Sequence, residues 1–205
     1  MRRFTVASVV LGIVGLSGLA LGENPPATCA GSETYRFTLQ GSDNDGYTGS
    51  GGTVQVNGMP YQTIYVRVRT LMTVTSGQTQ GWSFGVQHTN PWTQYYGGAV
   101  SIYGVTTSGT QTPTVQNGSP PDTNHLQIRS GFNGFTQGVS IDNDTGITLT
   151  PVTDFVTAKA CFALTAPSYE GTYPIDIKFS HDIGNPPIDA TVVQGGLGKA
   201  VCANN

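Results

Sequence analysis

Phe155-Val156-Thr157-Ala158-Lys159-Ala160-Cys161-Phe162-Ala163-Leu164-Thr165 is the longest alternation in the chain. Val156, Ala158, Ala160, Phe162 and Leu164 recur at every second position and make one apolar face. Cys161 falls on the opposite face, beside Thr157 and Lys159. A period of two is that of a pleated strand, whose successive Cβ atoms point to opposite sides of a sheet. One apolar and one polar face place such a strand half against a core and half in water, as antiparallel sheets do.

The pattern spreads in both directions. Residues 34–40 put Tyr35, Phe37 and Leu39 on one face, and residues 80–88 do the same with Trp82, Phe84 and Val86. In residues 62–74, Ile64, Val66 and Val68 point one way while Tyr65, Arg67 and Arg69 point the other. Residues 99–105, 125–129, 135–141, 188–194 and 197–202 continue the series, and residues 172–180 repeat it with Tyr173, Ile175, Ile177 and Phe179. Residues 53–56 run into Asn57-Gly58, whose tolerance of positive φ predicts a hairpin with residues 62–74 as the return strand. After residue 22 no segment combines helical apolar spacing with capping signals. About ten short strands, each with one polar face, predict an all-β fold, a two-sheet antiparallel β-sandwich, in one domain over residues 34–205.

Ahead of that domain, Arg2 and Arg3 precede an uncharged apolar run from Phe4 to Leu21, and Ala20 and Gly22 supply small residues for a cut before Glu23. This is the layout of a secretory signal peptide over residues 1–22, too short and glycine-broken for a membrane span. Residues 23–33 read as a loose leader, and the protein is expected to be secreted or held at the cell surface or in the periplasm. Cleavage leaves seven basic against twelve acidic side chains, a net charge of about −5. No basic cluster stands in the sequence after the cut, which argues against nucleic acid as a partner. No second apolar span or sorting motif follows. Three cysteines, Cys29, Cys161 and Cys202, lie where an oxidising compartment favours a disulfide, and spacing does not choose among the three pairings.

The sharpest catalytic signal is Gly81-Trp82-Ser83-Phe84-Gly85, a match to the G-x-S-x-G nucleophile elbow, with Asp122 or Asp176 and His125 or His181 as partners in chain order. The elbow needs a helix directly after the serine, and Asn90-Pro91-Trp92 follows instead, so a secreted serine hydrolase is the weakest reading. Asp43, Asp45, Asp142 and Asp144 offer oxygen ligands to calcium, the one cofactor left open. Asp and Asn equally form tight turns by bonding their own backbone. His88, His125 and His181 lack metal-binding spacing, and Glu33 and Glu170 are too few to suggest a glycosidase pair. Trp92, Tyr95 and Tyr96, in a loop with Pro91 and Gly97-Gly98, are the best binding candidates, able to stack on sugars or anchor a protein. Tyr65, Arg67 and Arg69 read as a solvated stripe on an outer sheet face. Asn117-Gly118-Ser119 and Asn143-Asp144-Thr145 fit the glycosylation triplet, which matters only in a eukaryotic pathway.

Three stretches together carry a family resemblance: residues 80–88 (Gln-Gly-Trp-Ser-Phe-Gly-Val-Gln-His), Asn117-Gly118-Ser119-Pro120-Pro121-Asp122, and Gly184-Asn185-Pro186-Pro187. In this order the chain, over roughly residues 34–201, resembles the cohesin-like and carbohydrate-binding-module-like sandwich modules of exported bacterial proteins, planctomycetes among them. The resemblance implies a jelly-roll sandwich of the cohesin and carbohydrate-binding-module type, secreted or displayed at the surface and mostly without assigned activity, with residues 81–86 as an inner strand. It departs at Gln87-His88-Thr89, where such modules often have Cys-His-Asp, and at Asn205, beyond which they often carry further segments. True cohesins grip a dockerin through a sheet face, and no residue here identifies that face. The expectation is a secreted, non-enzymatic module for surface recognition, adhesion or assembly. Its expected partner is an extracellular protein, a polysaccharide or further copies of itself. A carbohydrate-binding module built on Trp92, Tyr95 and Tyr96 is the first alternative.

Overall fold

The computed structural model describes residues 26–42, 54–89, 97–144, 146–169, 171–181, 183–184 and 186–204. Eleven strands follow in chain order: β1 (Tyr35–Ser42), β2 (Thr63–Val74), β3 (Gly81–His88), β4 (Ala99–Thr106), β5 (Thr123–Arg129), β6 (Gly134–Ser140), β7 (Val152–Thr165), β8 (Ile177–Phe179), β9 (Thr191–Gln194), β10 (Leu197–Ala200) and β11 (Cys202–Asn204). The helical content described is two single 3₁₀ turns, Thr112–Thr114 and Ser130–Phe132. One sheet runs β11-β1-β2-β7-β4. The other runs β10-β9-β3-β6-β5, with β8 also on β3. The all-β sandwich is therefore present, and its described pairings are antiparallel except β1 with β11.

The alternation read from the sequence faces the core as expected. Phe37 of β1 meets Phe84 of β3 edge-on at 5.2 Å and stacks on Phe179 of β8 at 5.6 Å, joining the two sheets. Trp82 and Phe155 do the same at 5.6 Å. Such aromatic pairs add to the burial of their large apolar surfaces.

β7 departs from its simple pattern at two bulges, between Thr70/Leu71 and between Met72/Val74 of its partner β2. Past the first, Phe155 and Thr157 are buried and Val156 is only half-buried, the reverse of strict alternation. An extra residue in a ladder flips the faces and leaves backbone groups unpaired. Side chains supply the missing partners. The Thr70 hydroxyl accepts from Ala158 N at 3.1 Å, and Thr157 O accepts from Thr112 Oγ1 at 2.6 Å and from Gln137 Nε2 at 3.2 Å. Gln137 Oε1 in turn accepts from the Trp82 indole at 3.3 Å. This accounts for threonines and a glutamine inside an apolar core, since buried polar groups persist where they are bonded.

Three local expectations are corrected. Residues 54–58 form no strand, and neither Asn57 nor Gly58 takes a positive φ. β2 pairs along eight residues with β1 instead, and the turn before it closes with Gln62 N donating to Met59 O at 2.9 Å. Residues 172–180 yield only the three-residue β8, although Tyr173, Ile175 and Ile177 still pack on the core. Residues 197–202 are two strands: β10 completes one sheet, and after the buried Val201 the chain crosses to the other as β11.

Of the three cysteine pairings left open, the structure forms Cys29–Cys202. Residues 26–30, ahead of β1, lie along β11: Ala203 N donates to Ala27 O at 2.9 Å and Cys29 N to Asn204 Oδ1 at 3.2 Å. Cys161 stands outside the bridge, half-buried on β7. Among the described residues no helix is long and apolar enough to cross a membrane. The apolar run of residues 1–22 lies outside the described residues.

Candidate functional site

Ser83 sits in the middle of β3, with no helix after it. Its hydroxyl donates to Asp189 O at 2.7 Å and lies 2.9 Å from Thr191 Oγ1. The strand-to-helix turn that would raise a nucleophile above a sheet is therefore missing. Of its supposed partners, Asp122 accepts Asn143 N at 2.7 Å and the Gln116 amide at 3.1 Å, fastening a turn. His125 is exposed on β5. His181 is buried, and its Nδ1 accepts Ala190 N at 3.1 Å. The same nitrogen lies 3.3 Å from Asp189 Oδ1, so the ring is held in place beside β9 and is not aimed at Ser83.

The acidic turn at Asp142 spends both carboxylate oxygens on its own loop, accepting Asp144 N at 2.9 Å and Ile147 N at 2.8 Å. Asp43 and Asp45 lie outside the described residues. Among those described, one group of His, Cys, Asp and Glu has metal-ligand spacing: Cys29, Glu33 and Cys202. Both sulfurs there are joined to each other. The Glu33 carboxylate accepts Ala30 N and Gly31 N, and these backbone bonds hold its pKa below the usual range. His88 is buried against Phe162, ring centroids 5.7 Å apart, and burial lowers its pKa despite the bond from Nδ1 to Thr89 O.

The two outer sheet faces differ. On β3 and β6 the outward positions are Gly81, Ser83, Gly85 and Gln87, then Gly134, Thr136, Gly138 and Ser140, small residues except for Gln87. β8 and β9 lie end to end along the same edge of β3, β9 on Gly81–Ser83 and β8 on Val86–His88. Between them, the described residues 180–181, 183–184 and 186–190 leave the strand, and Ser180 and Ile183 lie over this face. Ser180 N donates to Gly85 O at 3.0 Å, and Ile183 is fully buried. A Cβ at Gly134 would meet Ile183 Cδ1 at 2.6 Å, and one at Gly85 would meet Ile183 Cβ at 3.2 Å, so the two glycines form the notch that Ile183 fills. This end of the six-stranded sheet is covered by the protein itself.

The five-stranded sheet has no such cover among the described residues. Its register sets Tyr65, Arg67 and Arg69 of β2 opposite Ala163, Cys161 and Lys159 of β7. Beyond β7, Ser101 of β4 lies opposite Ala163 and Thr106 opposite Lys159. A bulge between Ile102 and Gly104 turns Tyr103 outward, where it is 70% exposed. Its ring meets that of Tyr65 edge-on at 5.1 Å. Arg69 Nε donates to Gln40 Oε1 on β1, tying the guanidinium to the neighbouring strand. The sequence shows the stripe on β2 but not its neighbours: Tyr103 and Lys159 join it through the strand order β2-β7-β4, and the only local hint is Gly104 interrupting the alternation of β4. Trp92, Tyr95 and Tyr96, the binding candidates from the sequence, lie outside the described residues.

No protein-family model matches this chain. No curated protein matches it either. Among solved structures it is similar to a type I cohesin from Clostridium thermocellum, in the structure of the Coh-OlpC–Doc435 cohesin–dockerin complex. The TM-score is 0.50 at 10% identity, over 89% of this chain and 93% of that one. The likeness is one of fold: this chain is a cohesin-like β-sandwich.

Proposed function

We propose that this chain is an exported, non-catalytic recognition module that docks another extracellular protein on the outer face of its five-stranded sheet. The observation that carries this reading is the exposed Tyr65–Tyr103 pair, set among Arg67, Arg69 and Lys159 on a broad sheet. Tyrosine and arginine are enriched among the residues that carry binding energy at protein interfaces: tyrosine buries a large rigid ring at small entropic cost, and arginine offers a planar fork of donors. An exposed aromatic pair on a flat face has no part in the core, where Phe37, Phe84 and Trp82 do the packing. Two further facts support the reading. The opposite face is partly closed by residues 180–190, and the fold neighbour occurs in complex with a dockerin. Export through residues 1–22 supports an oxidised Cys29–Cys202 bridge.

The test places a photo-crosslinking amino acid at Ser101 on this face, or at Gln127 on the other, in cells that make the protein. A discrete protein adduct from Ser101 is expected, and Tyr65→Ala with Tyr103→Ala should reduce it at least about tenfold. Adducts from Gln127 alone, or adducts indifferent to the tyrosines, would place the function elsewhere. Adducts only to polysaccharide or to a second copy would replace the protein partner.

A further inference from the structure

We infer that Asn57 is a site of spontaneous modification, where attack by the main chain on the side-chain amide yields aspartate and isoaspartate. In this chemistry the backbone nitrogen of the next residue forms a bond to the asparagine Cγ. The bond from Cγ to the side-chain nitrogen breaks, and ammonia leaves. Water then opens the resulting succinimide ring at either carbonyl, and no further reactant enters. Glycine is the follower that hinders the attack least, since it carries no side chain. The sequence contains three Asn-Gly pairs: Asn57-Gly58, Asn117-Gly118 and Asn133-Gly134. Residue chemistry alone ranks them equal, and the fold separates them.

The attacking nitrogen must be free of a hydrogen bond, and the chain around it must turn without opening a ladder. Asn57 and Gly58 meet both conditions. They are exposed, lie in the irregular stretch of residues 54–58 outside both sheets, and keep φ out of the positive region. Among the described residues no hydrogen bond engages Gly58 N or the Asn57 side chain. The first bond downstream runs from Met59 N to Gln62 Oε1 at 2.8 Å. Gly118 N, in contrast, donates to Thr114 O at 2.9 Å, inside a turn that Gln116 and Ser119 clamp with bonds of 3.0 and 2.9 Å. Gly134 is buried in β6 between Gln87 of β3 and Arg129 of β5, and Asn133 O accepts His88 N at 2.8 Å. At these two pairs ring closure requires local opening first, whereas at Asn57 the native chain suffices. The product sets a new carboxylate, and in isoaspartate an extra main-chain methylene, directly before the Met59–Gln62 turn that leads into β2.

The experiment holds the full disulfide-bonded protein in mildly alkaline buffer made with heavy-oxygen water, and follows each Asn-Gly pair by peptide mapping and mass spectrometry. Asn57 is expected to convert first, taking up solvent oxygen and giving aspartate and isoaspartate together. Asn117 should lag by at least about fivefold, the cost of releasing one hydrogen bond. Asn133 should lag further, because a buried ladder must open. After reduction and unfolding in urea the three rates should converge, which assigns the difference to the fold. Asn57→Gln should abolish the early product, since the longer side chain closes a less favourable ring, and should leave the other two rates unchanged. Conversion of Asn117 or Asn133 as fast as Asn57 overturns the inference, as does an Asn57 that stays intact while the unfolded chain reacts. The same spread of rates persisting in urea would assign it to neighbouring sequence and overturn the structural argument. Aspartate without isoaspartate would overturn the main-chain route in favour of plain hydrolysis.

Discussion

Gln137 shows how one polar residue becomes indispensable inside an apolar core. Fully buried on β6, it accepts from the Trp82 indole and gives its amide to Thr157 O and to Asn124 Oδ1. Replacing it with Leu keeps roughly the volume and leaves those partners without it. Gln137→Leu is therefore expected to lower the unfolding free energy by about 1–3 kcal/mol in urea titration. His88 gives a different signature. Because burial lowers its folded pKa, the unfolded chain takes up the proton first as pH falls through the ordinary histidine value near 6.5. More protons are then bound in the unfolded state, so stability falls with pH below that point and is fully present above it. Thermal melts between about pH 7 and pH 5 should show this slope, and His88→Gln should flatten it. At Tyr65 and Tyr103 the side chains have little to lose on substitution except a ring contact, so truncating them should spare the melting curve that Gln137→Leu shifts.

At the level of elements, the clearest case of mutual dependence is the excursion between β8 and β9. Ile183 fills the notch left by Gly85 and Gly134, and Ile183→Ala empties it. A loss of about 2–4 kcal/mol is expected, with faster amide exchange across residues 180–190. A loss below about 0.5 kcal/mol would show that the segment is not packed there. Elements were legible in the sequence where a strand keeps its alternation against one partner, as in residues 62–74 and the second half of 155–165. They were not where pairing across the fold overrides local chemistry. Asn-Gly occurs three times: Asn117-Gly118 turns tightly with φ of 51° and 97°, and Asn133 before Gly134 takes a φ of 51°, while Asn57-Gly58 has no positive φ, because β2 is already taken by β1. Bulges escape prediction for the same reason, since an extra residue in β7 or β4 is defined only against its partner strand. The outer face of β2, β7 and β4 was half legible. Its arginines alternate visibly, whereas Tyr103 and Lys159 lie 38 and 94 residues from Tyr65 and meet it through strand order alone.

For the molecule as a whole, the decisive constraint is the Cys29–Cys202 bridge, with a sequence separation of 173 residues. In the chain-entropy view so long a loop gains about as much from closure as any disulfide does, and removing it by Cys29→Ser with Cys202→Ser is expected to lower stability by about 2–5 kcal/mol. The same loss should follow reduction, with unfolding beginning at β1 and β11, which the bridge fastens beside the short parallel ladder. Fast exchange confined instead to β5 would contradict that order. The chain's passage through Val201, from β10 in one sheet to β11 in the other, adds a second clasp at the same corner. Together these features have a mechanical consequence. Tension that enters before Cys29 and leaves after Cys202 runs through two sulfur atoms and bypasses the intervening sandwich. A partner held on the β2–β7–β4 face would then feel none of the load, and its grip would not loosen when the chain is pulled.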